Sequence, residues 1–111
     1  MAFVITEKCL SEVYASCQQV CPADCIHFVS AMPDGYPGAG RKMMVIDPDE
    51  CIDCGACKPE CPIDAIVDSE EQDPSWAQIN KALGPSHRGQ KTSVRPKNET
   101  PHRSDNKLVN G

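Results

Sequence analysis

Cysteine is the residue type in this chain with the clearest capacity for chemistry. Four of the eight cysteines, Cys51, Cys54, Cys57 and Cys61, have the spacing Cys-x2-Cys-x2-Cys-x3-Cys-Pro. In such a run, three closely spaced thiolates bind one iron-sulfur cube, and the fourth cysteine, which proline follows, reaches a different cluster. A zinc site would favour four ligands in two separated pairs. The spacing predicts iron-sulfur clusters, with a zinc-bound interaction module as an alternative.

The other four cysteines form a diverged copy of this group: Cys9, Cys17, Cys21 and Cys25. Residues 21–26 align with residues 61–66, and both stretches begin with Cys-Pro and carry aspartate at the fourth position. Two copies of one unit predict a pseudo-two-fold fold. In this alignment Cys25 falls opposite Ala65, so we interpret Cys25 as a small buried hydrophobic residue rather than a ligand.

The two copies differ at Glu12, three residues after Cys9, where the second copy has Cys54. A carboxylate is a poor ligand for soft, sulfide-bridged iron. With Cys61 arriving from the other copy, the first site offers three thiolates, which suits a three-iron cluster. The predicted ligands are Cys9, Cys17 and Cys61 for a 3Fe-4S cluster, and Cys21, Cys51, Cys54 and Cys57 for a 4Fe-4S cluster.

These motifs resemble those of the bacterial seven-iron dicluster ferredoxins. The resemblance covers residues 1 to about 84 and is especially close at residues 47–55. It implies the same ligand assignment, with Cys25 free. It leaves open whether Glu12 allows the three-iron site to take up a fourth iron.

The elements that must position these cysteines follow from the repeat, each copy being strand, helix, strand. β-rich runs at 3–5, 26–29, 43–46 and 65–67 predict strands, and short helices should precede Cys21 and Cys61. A C-terminal helix is expected from Asp73, its cap, to Gly84, with an apolar face that packs on the body. The predicted class is α+β, a ferredoxin-like pseudo-two-fold repeat around two clusters, with a C-terminal helix and an extended tail.

Three further residues lie outside this scheme of ligands. His27 has no carboxylate or cysteine arrangement that would make it catalytic, and we expect it on a strand surface. The loop at 33–40 is rich in turn residues and should extend at the surface. Within it, Tyr36 is either an exposed docking residue or a turn residue packed on its own prolines. His102 is expected to be a solvated tail residue.

Length and composition limit the class of protein. The 111 residues allow one domain, and aromatic residues make up only 5% of them, so clusters are expected to supply much of the core. The sequence shows neither a signal peptide nor an apolar run long enough to span a membrane. We therefore expect a cytoplasmic protein in which cysteines act as metal ligands rather than forming disulfides.

Charge divides the chain into two parts. Residues 1–85 carry 5 basic and 14 acidic residues, whereas residues 86–111 carry 6 basic and 2 acidic ones. The acidic part disfavours nucleic acid and favours partners with basic docking surfaces. The tail has too few apolar residues to fold alone. We predict a dicluster domain at 1–84 and a basic, flexible or partner-wrapping tail at 85–111.

These observations predict a soluble, low-potential electron carrier rather than an enzyme. Clusters pass single electrons with little rearrangement, and the negative charge of the body and clusters lowers their potentials. No catalytic residue is expected. The partners would be a reductase and an acceptor enzyme, and the chain would be a monomer. The alternative is a tightly bound iron-sulfur subunit of a larger oxidoreductase.

Overall fold

In the described part of the chain, two antiparallel sheets of two strands each carry the fold. The structure is a computed structural model that describes residues 3–22, 24–51, 57–96, 99–104, 106 and 108. Strand β1 (Val4–Ile5) pairs with β4 (Ile66–Val67), and β2 (Ile26–Val29) pairs with β3 (Met43–Ile46). All four strands lie where the sequence predicts them, β1 and β4 being one residue shorter, and the small α+β class is confirmed.

Strand β3 forms the centre of the core. Its four side chains are at most 1% exposed, and the run contains no polar residue. A strand that is buried on both faces requires such a continuous apolar run, whereas a strand with one solvated face would alternate. β3 contacts β1 and the C-terminal helix in addition to β2. Both sheets therefore share one core.

Short helical segments lead into the crossing cysteines. Helix α1 (Ser16–Val20) ends directly before Cys21, and a 3-10 turn (Lys58–Glu60) ends directly before Cys61. Both cysteines have extended backbone and so turn the chain from the helix towards the next strand. The predicted helices are present, although the second is a single 3-10 turn.

Helix α2 (Pro74–Leu83) follows the predicted boundaries. The Asp73 side chain accepts a hydrogen bond from the Trp76 backbone N–H at 3.2 Å, and proline occupies the first helical position. Gly84 ends the helix against the main chain of Asp47, where an added Cβ would lie 2.7 Å from the Asp47 Cα. Trp76 and Leu83 are buried. The predicted packing face is therefore present.

The loop at 33–40 folds back on the body. The Met32 N–H donates to the Arg41 carbonyl at 2.8 Å, and the Gly40 N–H donates to the Met32 carbonyl at 2.9 Å, which closes the base of the loop. Tyr36 is half-buried and packs against the core. Its side chain is thus partly covered by the protein itself rather than projecting as an exposed docking residue.

The tail runs along the N-terminal half of the body over its described residues. The Phe28 N–H donates to the Gln90 carbonyl and the Arg95 N–H donates to the Tyr14 carbonyl, both at 2.9 Å. The division at residue 84 stays a prediction, but this part of the tail does not stand apart from the body. In the described ranges, no helix has the length and apolar character needed to cross a bilayer.

Candidate iron-sulfur centres

Cys9, Cys17 and Cys61 line one apolar cavity. Three separate elements place them, because Cys9 ends a 3-10 turn (Glu7–Cys9), Cys17 lies in α1 and Cys61 follows the second 3-10 turn. Each side chain is at least nine-tenths buried. The rest of the lining is aliphatic except for Met44 and Tyr14. The structure thus brings together the three thiols predicted to bind a three-iron cluster.

The environment of these thiols opposes the thiolate form. Burial raises the pKa of Cys9 to about 12, and burial together with the neighbouring cysteines raises the pKa of Cys17 well above its ordinary value. Burial also raises the pKa of Cys61. Three thiolates converging in an apolar cavity repel one another unless cations bind them. This donor set therefore fits iron, because its positive charge offsets the repulsion between the thiolates and because it has a high affinity for sulfur.

The chain leaves Cys21 and Cys61 by turns of the same geometry. An aspartate follows three residues later in both turns, with left-handed backbone: φ is 53° at Asp24 and 55° at Asp64. Each aspartate N–H donates to the carbonyl of the preceding cysteine at 3.3 Å. The N–H one residue further on lies 3.4 Å from the Cys21 Sγ and 3.3 Å from the Cys61 Sγ. A hydrogen bond to sulfur stabilises the thiolate and tunes a bound cluster.

Cys25 lies beside the predicted four-iron ligands. Its Sγ is 3.1 Å from the Cys21 Sγ, well beyond the roughly 2.05 Å of a disulfide bond. Burial raises its pKa far above the ordinary value, and Cys21 and Cys51 add to that rise, which places the three thiols together. The side chain is 3% exposed, in agreement with its interpretation as a buried residue.

The remaining predicted four-iron ligands are described only in part. Cys57 is buried and lies close enough to Cys17 to raise that thiol's pKa. Cys54 falls within residues 52–56, outside the described residues. The structure therefore places Cys21 and Cys51 near each other. The complete set of four thiols stays a prediction from the sequence.

Asp47 holds the start of the second cysteine group, at Cys51. Its carbonyl accepts hydrogen bonds from the N–H groups of Glu50 and Cys51, both at 3.1 Å, and its own N–H donates to the Cys25 carbonyl at 2.8 Å. The buried side chain accepts from the Asp49 N–H at 3.0 Å and from the Arg88 guanidinium. Asp47 thus positions Cys51 relative to Cys25.

The expectation for His27 is wrong, because its side chain is buried rather than on a strand surface. Its Nε2 lies 2.7 Å from Glu50 Oε1, and the Gly89 N–H approaches its Nδ1 at 3.3 Å. An Nδ1 that accepts leaves the proton on Nε2, so His27 donates to Glu50. His27, Asp47 and Glu50 lie close enough to share a cation, but the Arg88 guanidinium already supplies positive charge to both carboxylates.

Glu12 does not line the three-thiol cavity. Its side chain is fully buried, and its carboxylate accepts hydrogen bonds from four groups of the tail: Arg95 Nη1 at 3.1 Å, the His102 N–H at 2.7 Å, the Arg103 N–H at 3.0 Å and Asn106 Nδ2 at 2.8 Å. Burial disfavours the charge, but these hydrogen bonds outweigh it and hold the pKa of Glu12 below its ordinary value. His102 is exposed, as expected, apart from this backbone contact.

The cysteine motifs predict candidate ligands, but no motif predicts the residues that hold the surrounding loops in place. Arg95 and Asn106 lie more than 80 positions from Glu12, and neither belongs to a recognisable motif. The opposite charges of body and tail are the available signal, although they equally predict external partners of opposite charge.

Comparisons with known proteins agree with this site. The family described as 4Fe-4S binding domain matches residues 44–67, which include most of β3 and the second cysteine group. Ferredoxin-1 of Caulobacter vibrioides is 42% identical over 82 residues, and a ferredoxin of Saccharopolyspora erythraea is 39% identical over 82 residues. Ferredoxin 7Fe of Hydrogenibacillus schlegelii is 45% identical over 76 residues.

The matches cover most of this chain. They span 72%, 74% and 68% of it for the three relatives in that order. The share of each relative that is covered is 63% for Ferredoxin-1, 67% for the Saccharopolyspora protein and 83% for Ferredoxin 7Fe. The chain belongs to the bacterial ferredoxin family.

Proposed function

We propose that this protein is a soluble, low-potential electron carrier with one 3Fe-4S and one 4Fe-4S cluster. The observation that carries the proposal is the convergence of Cys9, Cys17 and Cys61 on one buried apolar cavity. The carboxylate of Glu12, which replaces a fourth cysteine, is engaged elsewhere. When bound, the clusters accept and release single electrons.

The same observations support the ligand assignment. Cys9, Cys17 and Cys61 would hold the three-iron cluster, and Cys21, Cys51, Cys54 and Cys57 the four-iron cluster. The matching turns after Cys21 and Cys61 support a pseudo-two-fold repeat in which each crossing cysteine serves the site of the other copy. The name of the relative Ferredoxin 7Fe is in keeping with this combination.

The protein's own groups would set the potentials. The N–H groups of Cys25 and Ala65 point at the crossing sulfurs and stabilise added negative charge. The acidic body opposes a further electron, so low potentials are expected. The site with four thiolates carries more negative ligand charge and would lie at the lower potential.

Iron and sulfide analysis with electron paramagnetic resonance tests the cluster content. The full chain, purified without oxygen and then oxidised, should contain about seven irons and give a three-iron signal. About eight irons without that signal, or zinc in a colourless protein, would overturn the proposal.

Two variants test the ligands. Cys61→Ala should abolish the three-iron signal, because Ala65, at the position that matches Cys25, offers no replacement thiol. Cys25→Ala is the matched control, since it removes a buried thiol that we do not assign as a ligand, and both clusters should remain. Loss of the four-iron cluster in Cys25→Ala would show that the assignment is wrong.

Electron transfer itself would be measured with a basic c-type cytochrome as the probe acceptor. The acidic body should attract such a partner, so the transfer rate should fall as ionic strength rises. A rate that does not change with salt would contradict docking through the acidic surface. The described tail residues contact their own body, which favours a carrier over a subunit tethered by its tail.

A further inference from the structure

A segment of the tail closes over the loop between two predicted three-iron ligands. We call this segment the strap and define it by the four residues that bind Glu12: Arg95, His102, Arg103 and Asn106. The inference drawn from it rests on the proposed function, because it concerns which cluster the first site holds.

The loop beneath the strap is strained. Ser11, Val13 and Ala15 all have positive φ, at 66°, 44° and 64°. Left-handed backbone is costly for residues with a Cβ, and most costly for a β-branched residue such as valine. Such conformations persist only where the surroundings impose them. Something must therefore hold the segment between Cys9 and Cys17 in this shape.

Arg95 supplies much of that restraint. Its N–H donates to the Tyr14 carbonyl at 2.9 Å, and its Nη1 donates to the Glu12 carbonyl, also at 2.9 Å. The guanidinium lies 4.0 Å from the centroid of the Tyr14 ring, which lines the three-thiol cavity. Arg95 also pairs with Glu99, which keeps its own position fixed. One tail residue thus contacts both the main chain of the loop and the wall of the cavity.

The strap also determines where the Glu12 carboxylate lies. Among the described residues, the hydrogen bonds to this carboxylate come from the strap, and the fully buried side chain has lost its access to water. Without these donors, a buried carboxylate would have no compensation and would have to move. Glu12 is three residues after Cys9, at the position that corresponds to Cys54 in the other copy.

We propose that the strap keeps the first site in its three-iron form by holding the Glu12 carboxylate outside the three-thiol cavity. Releasing the strap frees Glu12 to bind a fourth iron. The step balances when the one-electron-reduced cluster, [3Fe-4S]0, takes up one Fe2+ to give [4Fe-4S]2+, with dithionite as the reductant. Arg95 and Asn106 are positioning residues in this scheme and act through Glu12.

The test compares iron uptake by the full chain and by the double variant Arg95→Ala, Asn106→Ala. Both proteins are reduced with dithionite, incubated with Fe2+, freed of excess metal and re-oxidised under argon. The three-iron resonance should disappear at least about tenfold faster in the variant, since one hydrogen bond to a charged group is worth roughly that factor. The four-iron signal of the re-reduced sample should rise in parallel.

A matched control and a second variant make the result specific. Lys91→Ala removes another tail cation, one that pairs with the exposed Asp24, and should behave as the unaltered chain does. Adding Glu12→Gln to the double variant removes the carboxylate and should restore the slow rate.

Three outcomes would overturn the inference. They are equal uptake rates in the double variant and the unaltered chain, loss of the three-iron resonance without a gain in four-iron signal, and fast uptake that persists with Glu12→Gln. Absence of the three-iron resonance from the unaltered, oxidised chain would instead count against the proposed function.

Discussion

The side chain of Asn80 pairs with the main chain of Ile5 as a neighbouring strand would. Asn80 Nδ2 donates to the Ile5 carbonyl at 2.9 Å, and Asn80 Oδ1 accepts from the Ile5 N–H at 3.2 Å. The same oxygen accepts from the Ile46 N–H at 2.8 Å. Ile5 belongs to β1 and Ile46 to β3, so one amide in α2 connects both sheets to the helix.

Replacing Asn80 should therefore weaken the whole fold. Asn80→Ala leaves two strand N–H groups and one strand carbonyl without this partner in a buried site, where each unsatisfied group costs about 1–3 kcal/mol. We expect the denaturant midpoint for loss of the visible cluster absorbance to fall clearly. Gln78→Ala is the control, because Gln78 is exposed on the same helix and its loss should change stability by less than about 0.5 kcal/mol. Similar midpoints for the two variants would contradict this role.

Much of this fold is predictable from local sequence signals, because each signal depends only on residues that are close together in the sequence. The Asp73 cap, the ends of α2 and the β-rich runs each depend on a few adjacent residues, and all were placed correctly. The cysteine spacing acts over the same short range, since three predicted ligands of one cluster lie within a few residues of each other.

The contacts that complete the site span much longer separations. His27 meets Glu50 from 23 residues away, Asn80 meets Ile5 from 75, and Glu12 meets His102 from 90. One sequence contains no pattern that pairs such positions. Asn80 is a polar residue on an apolar helix face. Its burial can be inferred only when the strands whose main chain it hydrogen-bonds are known.

Two glycines in the loop at 33–40 allow a test of whether the contact between this loop and Leu10 supports the first site. Both glycines have left-handed backbone. Gly38 has φ +75°, and an added Cβ would lie 2.6 Å from the Leu10 Cδ2. Gly35 has φ +91°, but an added Cβ would meet nothing within 4 Å. Gly35→Ala should cost only the backbone strain, about 1–2 kcal/mol.

Gly38→Ala should cost more, because it also displaces Leu10, the neighbour of Cys9. We expect faster loss of the three-iron resonance in denaturant for Gly38→Ala than for Gly35→Ala. Equal rates would show that the contact between the loop and Leu10 does not support the first site.

Arg88 and Lys91 provide a comparison between two ion pairs of the tail. Arg88 pairs with Asp47, whose side chain is fully buried and whose main chain holds Cys51. Removing one partner of a buried charge leaves the other uncompensated, so Arg88→Ala should destabilise the protein more than the loss of an ion pair at the surface does. Lys91 pairs with Asp24 at the surface, and Lys91→Ala should cost less than about 1 kcal/mol.

The readout for this pair of variants is the rate at which cluster absorbance is lost on heating, since such unfolding is governed by kinetics. Arg88→Ala should lose its cluster absorbance faster than Lys91→Ala. The reverse order would contradict the role of Asp47 in holding Cys51 at the start of the second cysteine group.

Acid should release the strap before it unfolds the body. The pKa of Glu12 is lower in the folded protein than its ordinary value of 4.5. The stabilisation from its hydrogen bonds is therefore complete above pH 4.5 and is lost as the pH falls through the lower, folded value. Hydrogen exchange of the peptide containing His102 and Arg103, corrected for the intrinsic effect of pH, should accelerate in that window. The Glu12→Gln variant has no carboxyl group at this position, so its hydrogen exchange should not change with pH in that window. If the variant loses protection over the same pH range as the unaltered chain, another group controls the strap.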